Sequence, residues 1–182
     1  MRIISGKARG TKLYTLEGEN TRPTLDRVKE SVFNIIQNEI QDCIFLDLFS
    51  GSGAIGLEAI SRGAKKAILC DSSKEAVSII KKNIQKTHSE QYVELYCDKY
   101  DFVLKNKIKE KVDIVYIDPP YKTDFVYKSI ELLLDEELLK EQSIVIIETD
   151  QEEVIDDIKQ LEIEIISERK YGRAHLIFLK KK

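Results

Sequence analysis

The chain has 182 residues, a mass of 21.0 kDa, 42% hydrophobic residues and a formal charge of −3. That suits a single domain with a core of its own, and the acidic balance argues against a nonspecific nucleic-acid binder. No apolar run approaches the roughly 20 residues that span a bilayer, and the basic start, Met1 to Lys12, lacks the apolar stretch of a secretory signal, so a cytoplasmic protein is expected.

The first predicted element is a basic arm. Arg2 to Leu16 alternates weakly around Gly6 and Gly10, which predicts a small β-hairpin, and residues 1–12 carry Arg2, Lys7, Arg9 and Lys12 with no acid. Its glycines and charge suggest an arm that orders only on a polyanion. Thr24 to Gln37 predicts a helix capped by Thr24, with Asp26 in its first turn. From residue 44, apolar strands alternate with amphipathic helices. Strands are expected at Ile44 to Leu48, Ala67 to Asp71, Tyr92 to Cys97, Val112 to Ile117 and Ser143 to Glu148. Helices are expected at Ala54 to Ser61, Lys74 to Thr87, Phe125 to Leu139 and Glu152 to Leu161. This alternation means a parallel sheet covered on both faces. Ile163 to Ser167 and His175 to Leu179 are separated by a short segment containing Gly172 and Arg173, which predicts a closing antiparallel hairpin. Residues 1–43 are read as an extension of the same domain, and residues 44–182 as its main body. No linker or repeat divides the chain.

Asp47-Leu48-Phe49-Ser50-Gly51-Ser52-Gly53-Ala54-Ile55-Gly56 follows the first strand and opens a helix. Gly51 to Gly56 satisfies a dinucleotide fingerprint, with Asp71 about 20 residues on at the place of a ribose-binding acid. A nicotinamide oxidoreductase is therefore one reading. Asp47 argues against it, because an acid beside a diphosphate is unfavourable, whereas it suits a cationic amino-acid portion of a ligand.

The second motif is Asp118-Pro119-Pro120-Tyr121. Proline cannot continue a sheet ladder, so the acid stands at a strand's carboxyl end, where open α/β sheets bind ligands. An acid, the Pro119 carbonyl and an aromatic ring in fixed relation suit a planar exocyclic amine. The three cysteines (Cys43, Cys70, Cys97) and two histidines (His88, His175) show no metal-ligand spacing, so no metal is expected.

Five parallel strands and a terminal hairpin resemble the seven-stranded, Rossmann-like class I methyltransferases, which implies S-adenosylmethionine as cofactor. The resemblance implies that Gly51 and Gly53 admit it, together with Phe49, Ser50 and Ser72. It further implies that Asp47 helps hold its methionine part, that Asp71 accepts from its ribose, and that Asp98, with Lys99 and Tyr100 beside it, meets its adenine. Two further blocks, Arg2-Ile3-Ile4-Ser5-Gly6-Lys7-Ala8-Arg9-Gly10 and Thr21-Arg22-Pro23-Thr24-Leu25-Asp26-Arg27-Val28-Lys29-Glu30-Ser31-Val32-Phe33-Asn34, resemble the RsmD-type bacterial enzymes. So do Glu148-Thr149 and Tyr171-Gly172-Arg173. The similarity runs through essentially the whole chain and implies methylation of the N2 amine of a guanine in 16S ribosomal RNA, with Asp118, Pro119, Pro120 and Tyr121 catalytic. The chain's acidity departs from an RNA enzyme's usual charge. It leaves phosphate binding to Arg2, Lys7, Arg9, Lys12, Arg22, Arg27 and Arg173. The expected partner is 16S RNA in the small subunit or an assembly intermediate, bound by a monomer. Two rival readings are a DNA adenine-N6 methyltransferase, for which no target-recognition insertion is visible, and a non-catalytic, RNA-binding ribosome-assembly factor, against which the intact motifs argue.

Overall fold

Seven strands form one sheet in the computed structural model, which describes residues 1–16, 23–120, 124–151 and 153–182, with the side chains of residues 23–25 left aside. The strands are β1 (Ile44–Asp47), β2 (Lys66–Cys70), β3 (Val93–Tyr96), β4 (Val112–Ile117), β5 (Leu139–Thr149), β6 (Ile163–Tyr171) and β7 (Ala174–Lys181), in the order β3-β2-β1-β4-β5-β7-β6. β1 to β5 pair in parallel and β7 pairs antiparallel with both β5 and β6, as the alternation of strand and helix predicts. Every residue of β1 is buried, which is what a central parallel strand covered on both faces requires.

The helices are α1 (Pro23–Ile35), α2 (Ala54–Ser61), α3 (Lys74–Lys86), α4 (Tyr100–Asn106), α5 (Phe125–Asp135) and α6 (Val154–Ile158). Sheet alternation divides the core into two layers. Phe45, Leu69, Tyr116, Ile146 and Phe178 pack with α1, α2, α3 and the arm. Leu46, Ile68, Val115, Ile147 and Leu179 pack with α4, α5 and α6. Among the described residues no helix is long and apolar enough to cross a membrane.

Several boundaries differ from expectation. α1 begins at Pro23, so Thr24 lies inside the helix and is not its cap; proline's fixed φ and missing donor suit the first helical position. α5 stops at Asp135, because Glu137 takes a positive φ of 51° and the chain turns into β5 at Leu139, four residues before the expected Ser143. α4 is an additional helix, short and burying only Val103 and Leu104. β6 runs on to Tyr171, leaving Gly172 and Arg173 as a two-residue hairpin turn.

The arm differs most. It makes a single antiparallel bridge, Arg2 with Lys12, in place of a regular hairpin, and it packs against α2. Ile3 is wholly buried. Lys7 N–H donates to Ser61 O at 2.8 Å and Ala8 N–H to Ser61 Oγ at 2.9 Å. Gly6 explains how the backbones come so close: a Cβ there would stand 1.8 Å from Ser61 O. Glu58 of α2, itself buried, accepts from Ile4 N–H at 2.7 Å and Ser5 N–H at 3.0 Å. Short-range alternation could not disclose this anchor, because its acceptors lie more than fifty residues away.

Candidate active site

A cleft of about 1010 Å³ opens at the carboxyl ends of the strands, where β1 and β4 are neighbours and the winding of the chain reverses. Open α/β sheets place ligands at such a switch point. The cleft has one half over β1, β2 and β3 and a second half over β4 and β5.

The glycine loop forms the floor of the first half. Gly53 adopts φ 77° as the residue preceding α2, a conformation glycine takes without Cβ strain. Ser50 knits the loop to the sheet, since its hydroxyl donates to Asp47 O at 2.9 Å and accepts from Cys70 N–H at 3.0 Å. Its side chain therefore has a structural duty besides lining the cleft. Asp71 accepts from Gly51 N–H at 2.9 Å through Oδ2 and from Ser73 N–H at 2.8 Å through Oδ1. Each carboxylate oxygen keeps a second lone pair for a ligand hydroxyl. Ser72, Asp98, Lys99 and Tyr100 border the same space.

Asp47 is 1% exposed, and its Oδ2 has no hydrogen-bond partner among the described residues. Burial pushes its carboxyl up to about 7, against the lowering effect of the Gly56 N–H, and the neighbouring charge of Asp71 adds to the rise. A buried acid oxygen without a donor fits a cationic group arriving from the cleft. One wall is aromatic: the Phe49 ring lies 6.1 Å from and nearly parallel to that of Phe125, and Tyr100 stands 5.3 Å from Phe49 and 5.0 Å from Phe125.

In the second half, Asp118, Pro119 and Pro120 border the cleft with Tyr116 and Glu148. The Tyr116 hydroxyl donates to Glu148 Oε2. Burial raises both groups, Tyr116 well above its ordinary range and Glu148 above the usual carboxylate value, although the Tyr116 hydrogen bond opposes the rise at Glu148. Met1, Leu16, Val28 and Lys29 bring the arm and α1 to the cleft.

The structure thus gathers Asp47, Phe49, Ser50, Gly51, Asp71, Ser72, Asp98, Lys99, Tyr100, Asp118, Pro119 and Pro120 around one space. Gly53 shapes the loop from beneath. Tyr121 and Arg22 lie outside the described residues. Arg2, Lys7, Arg9, Lys12, Arg27 and Arg173 are exposed and do not border the cleft. Arg27 neighbours Val28 and Lys29, which do, and Arg173 turns the β6–β7 hairpin at the sheet edge that carries Glu148. Tyr116, Phe125 and Lys29 join the cleft without a signal read from the sequence. Two-residue alternation back from Asp118 could have found Tyr116; nothing local signals Phe125. Among the described residues no cluster of His, Cys, Asp or Glu could hold a metal ion.

The family model described as conserved hypothetical protein 95 matches residues 1–180. The chain belongs to this family. Members of the conserved hypothetical protein 95 family to which it is similar include the Ribosomal RNA small subunit methyltransferase D of Haemophilus influenzae, 38% identical over 154 residues, covering 84% of this chain and 80% of that one. The protein of the same name from Escherichia coli K12 is 33% identical over 152 residues, covering 84% of this chain and 76% of the relative. A solved structure of yhhF from Escherichia coli, a methyltransferase by name, matches with a TM-score of 0.87 at 29% identity over 100% of this chain and 98% of its own. The RsmD-type resemblance read from the arm and α1 is therefore the family relationship, and the fold is that of class I methyltransferases.

Proposed function

We propose that this protein transfers a methyl group from S-adenosylmethionine to the exocyclic N2 amine of a guanine in 16S ribosomal RNA, in the small subunit or an assembly intermediate, acting as a cytoplasmic monomer. The observation that carries this reading is the position of Asp118 and Pro119 at the end of β4, in one cleft with the glycine loop after β1. The names of the relatives support the ribosomal RNA substrate. The cleft volume is of the order needed for a cofactor and a nucleobase together.

The orphaned Asp47 Oδ2 fits the ammonium of S-adenosylmethionine, which, when bound, supplies an electrophilic methyl group. Asp71 offers its remaining lone pairs to ribose hydroxyls, Asp98 accepts from the adenine amine, and the Phe49–Tyr100–Phe125 wall excludes water. Guanine N2 is a weak nucleophile because its lone pair is delocalised into the ring. Asp118 and the Pro119 carbonyl accept its two N–H groups, favour a pyramidal nitrogen and stabilise the positive charge that develops on methylation. Asp118 can then take the released proton. Tyr121 supplies the ring on which the unstacked base rests, offsetting an unstacking cost of a few kcal/mol. Arg2, Lys7, Arg9, Lys12, Arg22, Arg27 and Arg173 meet RNA phosphates, whose negative charge the acidic body does not attract.

The test is transfer of radiolabelled methyl to small subunits from a strain lacking this protein, followed by nucleoside analysis. One labelled N2-methylguanosine is expected. Label in an amino-methylated adenosine or in protein would keep the chemistry and reject the substrate; no label at all would leave an RNA-binding assembly factor.

Asp47 gives a pH dependence of known sign. Between the ordinary carboxylate value and about 7, the folded protein holds a proton that the unfolded chain has released, so the ligand-free protein loses stability as pH climbs through that window. Asp47→Asn is expected to flatten this loss. Affinity for S-adenosylmethionine runs the other way and weakens by up to about tenfold per pH unit below 7, because the ammonium needs the ionised acid. Thermal unfolding of the ligand-free protein and calorimetric titration with S-adenosylmethionine, each from pH 5.5 to 8, check the two signs, and an affinity that is flat over this range would remove Asp47 from the ammonium site.

A further inference from the structure

Glu148 has no part in the proposed reaction, yet it borders the same cleft as Asp118. β4 and β5 are in parallel register, with Tyr116 opposite Ile146 and Ile117 opposite Ile147. Asp118 and Glu148 are therefore the next residues along adjacent strands, on the sheet face that also carries Tyr116. The Tyr116 hydroxyl engages Oε2 of Glu148, which leaves Oε1 for a second donor. If this pair served only to join β4 to β5, an apolar pair would do as well, since buried polar pairs add little net stability. The ladder joins these strands already. An acid held through one oxygen at the border of the cleft is a prepared acceptor.

On a guanine edge, the donor adjacent to the N2 amine is N1–H. On an adenine edge, the ring nitrogen beside the N6 amine is an acceptor. An acceptor one strand away from the acid that grips the amine therefore tells the two bases apart. We propose that Glu148 is the specificity-determining acceptor for N1–H of the target guanine, with Tyr116 as its positioning residue. The inference rests on the guanine-N2 reading and deepens it.

The experiment compares two RNAs once nucleoside mapping has located the modified guanine: native 16S RNA, and the same RNA with 2-aminopurine at that position. 2-Aminopurine keeps the 2-amine but presents a lone pair at N1 in place of the proton. Wild-type protein is expected to favour guanine by about a hundredfold in kcat/KM. Glu148→Gln gives the site an amide donor that can meet the bare N1, so the ratio should fall below about tenfold while S-adenosylmethionine affinity stays within about threefold. The change in ratio between the two proteins isolates N1, because the missing O6 affects both alike. Equal losses on both RNAs would overturn the proposal and leave Glu148 a structural residue. Tyr116→Phe keeps the acid and loosens its hold, and should lower the same ratio by a few fold; if Glu148→Gln does not fold, an unchanged ratio in Tyr116→Phe overturns the proposal. Absence of N2-methylguanosine from the wild-type reaction is the distinct failure, that of the functional reading itself.

Discussion

Asp118→Ala is expected to lower the single-turnover rate of methyl transfer by about 10³-fold while changing S-adenosylmethionine affinity by less than about threefold. The magnitude is that of removing one preorganised partner of the charge that develops in the transition state. The selectivity follows from the site's division. Asp118 follows β4, whereas Asp47, Asp71 and Asp98 stand at the ends of β1, β2 and β3, in the other half of the shared cleft. Asp118→Asn keeps one acceptor oxygen and should fall between the two. Single-turnover kinetics with calorimetric binding separates the effects. A folded Asp118→Ala protein that lost cofactor affinity as severely as turnover would move Asp118 out of the amine-binding role.

Glu58→Ala is expected to be the most destabilising substitution, by about 3–5 kcal/mol, or roughly 10 °C in melting temperature for a domain of this size. Glu58 is 0% exposed and serves four donors: Ile4 and Ser5 N–H, Arg62 Nε at 2.7 Å and Lys29 Nζ at 3.3 Å. Lys29, 2% exposed, also donates to Arg2 O, and burial lowers its pKa against the pull of Glu58. Removing the acid leaves a buried ammonium and two backbone N–H groups without their partner. Because Lys29 and Met1 border the cleft, the arm should loosen there as well. Thermal unfolding with limited proteolysis gives the check: cleavage within residues 1–13 is expected to accelerate more than global unfolding predicts. Glu58→Gln, which keeps a carbonyl acceptor, should be milder. A Glu58→Ala protein that melts within a degree or two of wild type would show that the network adds nothing to the fold.

The parts of the site legible in the sequence are those whose chemistry is local. Gly51, Gly53 and Gly56 lie within ten residues of Asp47, and Pro119 and Pro120 stop β4 immediately after Asp118, so motif and structural position are written in nearby residues. Alternation of strand and helix was equally legible, because its periods are short, and it disclosed both the parallel sheet and the hairpin that closes it. It misjudged α4, whose single buried turn gives too few apolar positions to set a period, and the end of α5, where a left-handed Glu137 breaks a run of leucines that reads as helical.

Sequence alone therefore determined the layered α/β fold, the glycine loop and the acid at the end of β4, since each depends on neighbours close by in the chain. Tertiary structure alone decided which acids are buried and what they face. Asp47 is left with one oxygen lacking a donor because α2 packs against it at Gly56, and Tyr116 meets Glu148 because a parallel crossover sets β5 beside β4. Glu58 becomes an anchor because the arm folds back across α2, 53 and 54 residues away in the chain. Burial and pairing at such separations are properties of packing, and no local pattern carries them.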